Sequence, residues 1–245
     1  MSSKFKQAII IGASSGIGAE LARQLAGQGC MVALVARRES ELKKLAQEIG
    51  EKSKIYPHDV TSYEQVPSLF QQITRDLGGV DLIIYSAGVM PAIAEDEYTF
   101  DKDATIFEVN VLGAIAWLNE AAKRFTQAKS GTIVGISSVA GDRGRRGQPA
   151  YCASKAALST YLEALRNRIG RYGVNVLTVK PGPVDTPMTH GLSKLPMLIS
   201  APAAASQILH AANMGGSQVY VPGQWRYIMG VIRHIPSFIF KKMNF

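Results

Sequence analysis

Cysteine is scarce in this sequence. Cys30 and Cys152 are the only two among 245 residues, which excludes a disulfide framework and every cysteine-based zinc spacing. Both read as reduced packing residues, as in a cytoplasmic protein. Histidine is nearly as sparse. His58, His190, His210 and His234 are scattered, without metal-ligand spacing, so no metal site is expected. Long apolar runs are missing too. The apolar residues that begin at Ala8 are broken by Gly12, Gly16 and Gly18, so neither a signal peptide nor a membrane span is expected. Internal repeats, low-complexity segments and linkers are absent, and nothing matches a nucleic-acid-binding motif.

What is present suits one large α/β domain. The hydrophobic fraction of 47% is ordinary for a globular chain. The net charge of +8 serves solubility, or favours an anionic ligand or surface. The apolar, β-branched run at 8–11 predicts a buried strand, and further strands are expected at 31–36, 53–56, 80–84, 131–137, 174–179 and 218–221. Helices are expected over 19–28, 41–49, 63–77, 101–126, 149–168 and 202–214. This alternation implies a doubly wound, Rossmann-like, mostly parallel sheet of about seven strands with helices on both faces. Residues 1–223 form that domain, and 224–245 are set apart as a tail.

Gly12-Ala13-Ser14-Ser15-Gly16-Ile17-Gly18 sits between the first strand and the first helix. Such a turn lets backbone approach a pyrophosphate, and the helix N-terminus offers N–H groups to it. The second strand ends in Arg37-Arg38, where an acid would take the 2′-hydroxyl of a ribose. Two guanidiniums suit a 2′-phosphate instead, which favours NADP(H), with NAD(H) as the alternative. Asp59 after the third strand can accept a hydrogen bond from an adenine amino group, or serve only as a turn acid. Ser86-Ala87-Gly88 at the end of the fourth strand leave room for a ribose.

Pro149 suits the first turn of a helix, and Tyr151 and Lys155 lie four apart on it, hence on one face. That pair alone is common on helix surfaces. As a site it has chemical value. An ammonium about 4 Å from the phenol, at an effective dielectric of about 20, favours the phenolate by roughly 4 kcal/mol, or about 3 pKa units, less the opposing cost of desolvation. A phenol whose pKa is lowered in this way exchanges protons near neutrality. Asn110 lies within a long helix and Ser138 at the end of the fifth strand. The basic loop 142–147 reads as a solvated surface loop.

Gly12-x-x-x-Gly16-x-Gly18, Ser86-Ala87-Gly88, Asn110-Val111-x-Gly113, Ser138, Tyr151-x-x-x-Lys155 and Pro181-Gly182-x-Val184-x-Thr186 occur in order. As a set they resemble the short-chain dehydrogenase/reductase family, of its classical type, over roughly residues 5–222. The resemblance implies a carbonyl–alcohol oxidoreductase with a tetrad of Asn110, Ser138, Tyr151 and Lys155. Tyr151 would act as general acid or base, Ser138 would bind the substrate oxygen, and Lys155 would hold the nicotinamide ribose and lower the tyrosine pKa. Asn110 would position a water. Asp59 and Val60 would contact adenine, and Ala87 and Gly88 would line the ribose pocket. Pro181, Gly182, Val184 and Thr186 would hold the nicotinamide, and 187–200 would form the variable substrate lid. A homodimer or homotetramer through the helices carrying Asn110 and Tyr151 is implied as well. The chain departs from the family at Ile11, where threonine is usual, and at Tyr85 and Ser86, where asparagines are usual.

The lid holds Met188, Leu192, Leu195, Met197, Leu198 and Ile199, which points to an apolar ketone or alcohol. The tail mixes Trp225, Tyr227, Val231, Phe238, Ile239 and Phe245 with Arg226, Arg233, Lys241 and Lys242. Two roles stay open for it: peripheral contact with an anionic membrane, or a cap over the cleft or a second subunit.

Overall fold

The chain threads an alternating β/α path, seen in a computed structural model that describes residues 4–190 and 195–243. β1 (Gln7–Ile11), β2 (Met31–Ala36), β4 (Leu82–Tyr85) and β5 (Gly131–Ile136) are almost wholly buried, as expected of strands covered on both faces. With β3 (Ser53–Pro57), β6 (Val174–Pro181) and β9 (Gln218–Val221) they form a seven-stranded parallel sheet in the order β3-β2-β1-β4-β5-β6-β9. The winding reverses between β1 and β4, and a crevice opens there at the carboxyl ends of the strands.

Two core layers flank the sheet. Leu21 and Leu25 of α1 (Gly16–Gly27), Leu42 of α2 (Glu39–Ile49) and Ile208 of α7 (Ala201–Asn213) fill one layer. The other is filled by Phe70 of α3 (Val66–Leu77), Trp117 and Phe125 of α5 (Gly113–Ala128), and Leu158 and Leu162 of α6 (Pro149–Ile169). Pro149 opens α6 where its missing N–H costs nothing. α3 likewise starts only at Val66, with proline in its first turn, behind a single 3₁₀ turn at Tyr63–Gln65.

The helix expected over 101–126 is divided. α4 (Phe100–Phe107) passes into a π turn at Glu108–Leu112 before α5 begins. Tyr85 explains the interruption. Its phenol donates to the backbone oxygen of Val109 at 2.5 Å, and a Cβ on Gly113 would lie 2.7 Å from the same phenol oxygen. A side chain inserted at the helix ladder in this way widens it locally, and Asn110 sits in the widened turn.

Past β6 the chain forms a two-stranded parallel ribbon, β7 (Val184–Asp185) with β8 (Ile199–Ser200). Of the expected lid, Leu192 lies outside the described residues, as does Phe245 of the tail. The tail forms two helices, α8 (Trp225–His234) and α9 (Ser237–Phe240). Trp225, Met229 and Ile232 of α8 pack on Val139 and Tyr220. Among the described residues, no helix is long and apolar enough to cross a membrane.

Candidate active site

A cleft of about 770 Å³ lies along the carboxyl edge of the sheet, within the range of small-molecule sites. One half is built from backbone. Gly12 has φ +87°, and a Cβ there would stand 2.5 Å from the backbone nitrogen of Ala87. A Cβ on Gly18 would overlap the carbonyl oxygen of Gly12. The turn therefore lies directly on the Ser86-Ala87 strand end. Ser15, extended at the N-cap of α1, makes no side-chain cap bond, and no acid stands in the first turn. The N–H groups of that turn are thus open to an anion, so the cradle fits a dinucleotide pyrophosphate.

Arg38 reaches back over this turn and donates to Ser14 Oγ at 2.9 Å and Ser15 Oγ at 2.7 Å. Arg37 is also exposed and pairs with Asp59 at 3.7 Å. Asp59 also accepts from the backbone N–H and hydroxyl of Thr61 at 3.0 and 2.8 Å. Burial works against its charge, but these hydrogen bonds and Arg37 hold its carboxyl below the usual range. Asp59 stands outside the cleft wall, whereas His58 and Val60 are part of it.

The other half carries the reactive side chains. Tyr151 and Lys155 are both buried on one face of α6, and the lysine nitrogen lies 5.7 Å from the centre of the tyrosine ring. Ser138, just past the end of β5, stands beside the Tyr151 phenol and favours its charged form. Lys155 Nζ donates to the Ile136 oxygen at 3.0 Å. The Lys155 carbonyl accepts from the hydroxyls of Ser137 and Ser159 at 2.8 and 2.9 Å, so its backbone is clamped. Asn110 faces the same point from behind. It accepts from Val89 N at 2.8 Å and donates to Val89 O and to Ser154 Oγ, each at 3.1 Å. A Cβ on Gly88 would lie 3.3 Å from Asn110 Oδ1 and 3.4 Å from Lys155 Nζ. Gly88 thus marks where Asn110 and Lys155 meet.

One expectation is corrected. Burial opposes the lowering of the Tyr151 pKa expected from Lys155. Burial pushes the phenol up, against the partial relief given by Ser138 and Arg145. Desolvation of the phenolate outweighs the cations nearby. The same burial lowers Lys155 to about 8.

Pro181, Gly182, Val184 and Thr186 close the cleft on the far side, beside Ser14, Ser15, Gly16, Ile17, Ser86 and Ala87. Gly18 and Asn110 stand behind the wall that Gly12 and Gly88 present. Gly16, at φ +54°, approaches the Thr186 methyl group so closely that a Cβ would lie 3.1 Å from it.

Other wall residues were not legible in the sequence. Arg145, from the basic loop read as solvated, lines the cleft, and so does Trp225 from the tail. The Trp225 indole abuts Gly182, where a Cβ would overlap it. Asp142 is also drawn inward. It accepts from Lys180 at 2.6 Å and from Tyr220 at 2.7 Å. Burial and Asp142 push the Tyr220 phenol up to about 12. This cluster ties the turn after Ser138 to the residue before Pro181. Its members lie far apart in sequence, so no local pattern announces it.

The short chain dehydrogenase family model matches residues 6–195. The chain belongs to the short-chain dehydrogenase/reductase family. An uncharacterized oxidoreductase of Staphylococcus epidermidis is 32% identical over 188 residues, covering 77% of this chain and 82% of the relative. A solved short-chain dehydrogenase/reductase family protein superposes with a TM-score of 0.84 at 27% identity, covering 92% of this chain and all of the other. A short-chain type dehydrogenase/reductase from Mycobacterium marinum gives 0.83 at 28% identity, covering 91% and 96%. This short-chain dehydrogenase/reductase is therefore an oxidoreductase of the nicotinamide-dependent type.

Proposed function

We propose that this enzyme interconverts a carbonyl and a secondary alcohol on an apolar substrate, using NADP(H), with Tyr151 as general acid and base. The convergence of Tyr151, Ser138 and Lys155 in one cleft, with Asn110 behind Gly88, carries this reading. When bound, the nicotinamide supplies or accepts the hydride at the carbonyl carbon. Ser138 holds the substrate oxygen beside the phenol. Tyr151, kept protonated by its burial, delivers its proton to that oxygen during reduction. Lys155 binds the ribose, and Asn110, in its π turn, positions the water that restores the proton. Asp59 acts through Arg37, and Val60 contacts adenine.

The Arg38–Ser14–Ser15 cluster, with Arg37 beside it, supports a 2′-phosphate and so NADP(H) over NAD(H). Met90, Met188, Leu195 and Pro196 in the cleft wall support an apolar substrate. Exposed Phe107 and Leu112, at the junction of α4 and α5, support a homodimer or homotetramer; a monomer by light scattering would overturn that part. The decisive assay follows NADPH absorbance across long-chain and small polar ketones. Faster turnover of the long-chain compounds is expected. NADPH binding without oxidation across the whole panel would instead make the protein a sensor.

A further inference from the structure

The last acidic residue in the sequence is Asp185. Beyond β9 the chain carries Arg226, Arg233, Lys241 and Lys242 with no carboxylate side chain among them. α8 has two apolar stripes. The inner one, Trp225, Met229 and Ile232, is buried in the domain. The outer one, Tyr227 and Val231, is one helical turn apart and 76% and 69% exposed. In α9, Phe238 is 66% exposed and Ile239 is exposed as well. A single core-facing stripe is enough to hold a surface helix, so the second stripe needs another explanation.

The basic loop is tied to the tail. Arg143 donates to the carbonyl oxygens of Arg233 and Ile235 at 2.9 and 3.0 Å and lies over the Phe240 ring at 4.5 Å. Arg143, Arg146 and Lys241 share a shallow cleft with Phe240 and Met243. At its edge Arg146 meets Glu95 at 3.4 Å. Loop and tail therefore form one unit in which cations and apolar side chains interleave. That unit adjoins the candidate active site, because Arg145 and Trp225 also wall its cleft.

We propose that α8, α9 and the loop at 143–147 form a docking face for an anionic lipid bilayer, with Tyr227, Val231, Phe238 and Ile239 entering the headgroup boundary. Charge decides between occupants. A second copy of this chain on the same face would set cations against cations. An anionic bilayer offers both the negative potential and an apolar boundary a few ångströms below it. The face would bring the mouth of the cleft next to the membrane in which an apolar substrate resides. This extends the apolar-substrate reading, yet its test reads sedimentation and needs no turnover.

Intact protein is sedimented with phosphatidylcholine vesicles, with and without phosphatidylglycerol. Binding is expected only with phosphatidylglycerol, and high salt should release it. Lys241→Glu combined with Lys242→Glu should weaken binding more than tenfold, since each cation near such a surface contributes about fivefold. Tyr227→Ser combined with Phe238→Ser removes exposed side chains, should leave the thermal midpoint and NADPH binding unchanged, and should also weaken sedimentation. The proposal is overturned if wild-type protein ignores anionic vesicles, binds both compositions equally, or loses nothing in either variant. It is equally overturned if the variants instead dissociate an oligomer that does not bind vesicles, since the face then serves a second copy.

Discussion

The phenol of Tyr85 donates to the main-chain oxygen of Val109 at 2.5 Å, one residue before Asn110. Both residues are buried. Tyr85 lies opposite Ile11 in the sheet. Its side chain crosses from the β4 end to the π turn and braces it. A neighbouring strand is not its target.

Tyr85→Phe should therefore do more than remove one hydrogen bond. It leaves a buried carbonyl without its partner, which costs about 1–3 kcal/mol. Urea unfolding should show that loss. Turnover should fall while NADPH affinity holds, because the disturbed element carries Asn110 rather than the dinucleotide cradle. An unchanged urea midpoint would mean that Tyr85 braces nothing.

Tyr151→Phe should abolish turnover and leave NADPH binding nearly intact, as read by fluorescence titration. The wild-type pH profiles should differ by direction. Burial raises the Tyr151 pKa, so reduction, which needs the phenol, should be flat across neutrality. Oxidation needs the phenolate and should climb by up to about tenfold per pH unit above neutrality. Flat profiles in both directions would place the proton with another group.

Arg38→Ala should raise the dissociation constant for NADPH more than for NADH. A charge-assisted contact to phosphate is worth about 1.5–3 kcal/mol, or roughly tenfold to a hundredfold in affinity. Arg37→Ala should act in the same direction but more weakly, since Arg37 already engages Asp59. Equal losses for both cofactors would put the 2′-phosphate elsewhere.

Lys155→Met should inactivate the enzyme and stabilise the fold. Lys155 falls from 10.5 to about 8 on burial, so at pH 7 the folded state carries an unfavourable charge, by about 3 kcal/mol at most. The unfolded chain binds the extra proton between those two values. Wild-type stability from this group therefore rises with pH across that window, and the advantage of the variant shrinks. Urea unfolding at neutral and alkaline pH checks the sign; an advantage that grows with pH would refute it.

The sequence by itself determined what contiguous residues encode. Apolar runs of strand length placed the buried central strands, because burial on both faces demands such runs. Spacing put Tyr151 and Lys155 on one helix face, because four residues are nearly one turn. The glycines at 12, 16 and 18 announced a backbone that must pass close to something.

Tertiary structure decided what those residues meet. It split the helix expected over 101–126 at a phenol arriving from residue 85. It brought Arg145 and Trp225 to the cleft from a loop and a tail that local pattern reads as surface. It also reversed the sign of the Tyr151 shift, because desolvation is set by everything packed around a group, whereas the spacing to Lys155 specifies only one neighbour.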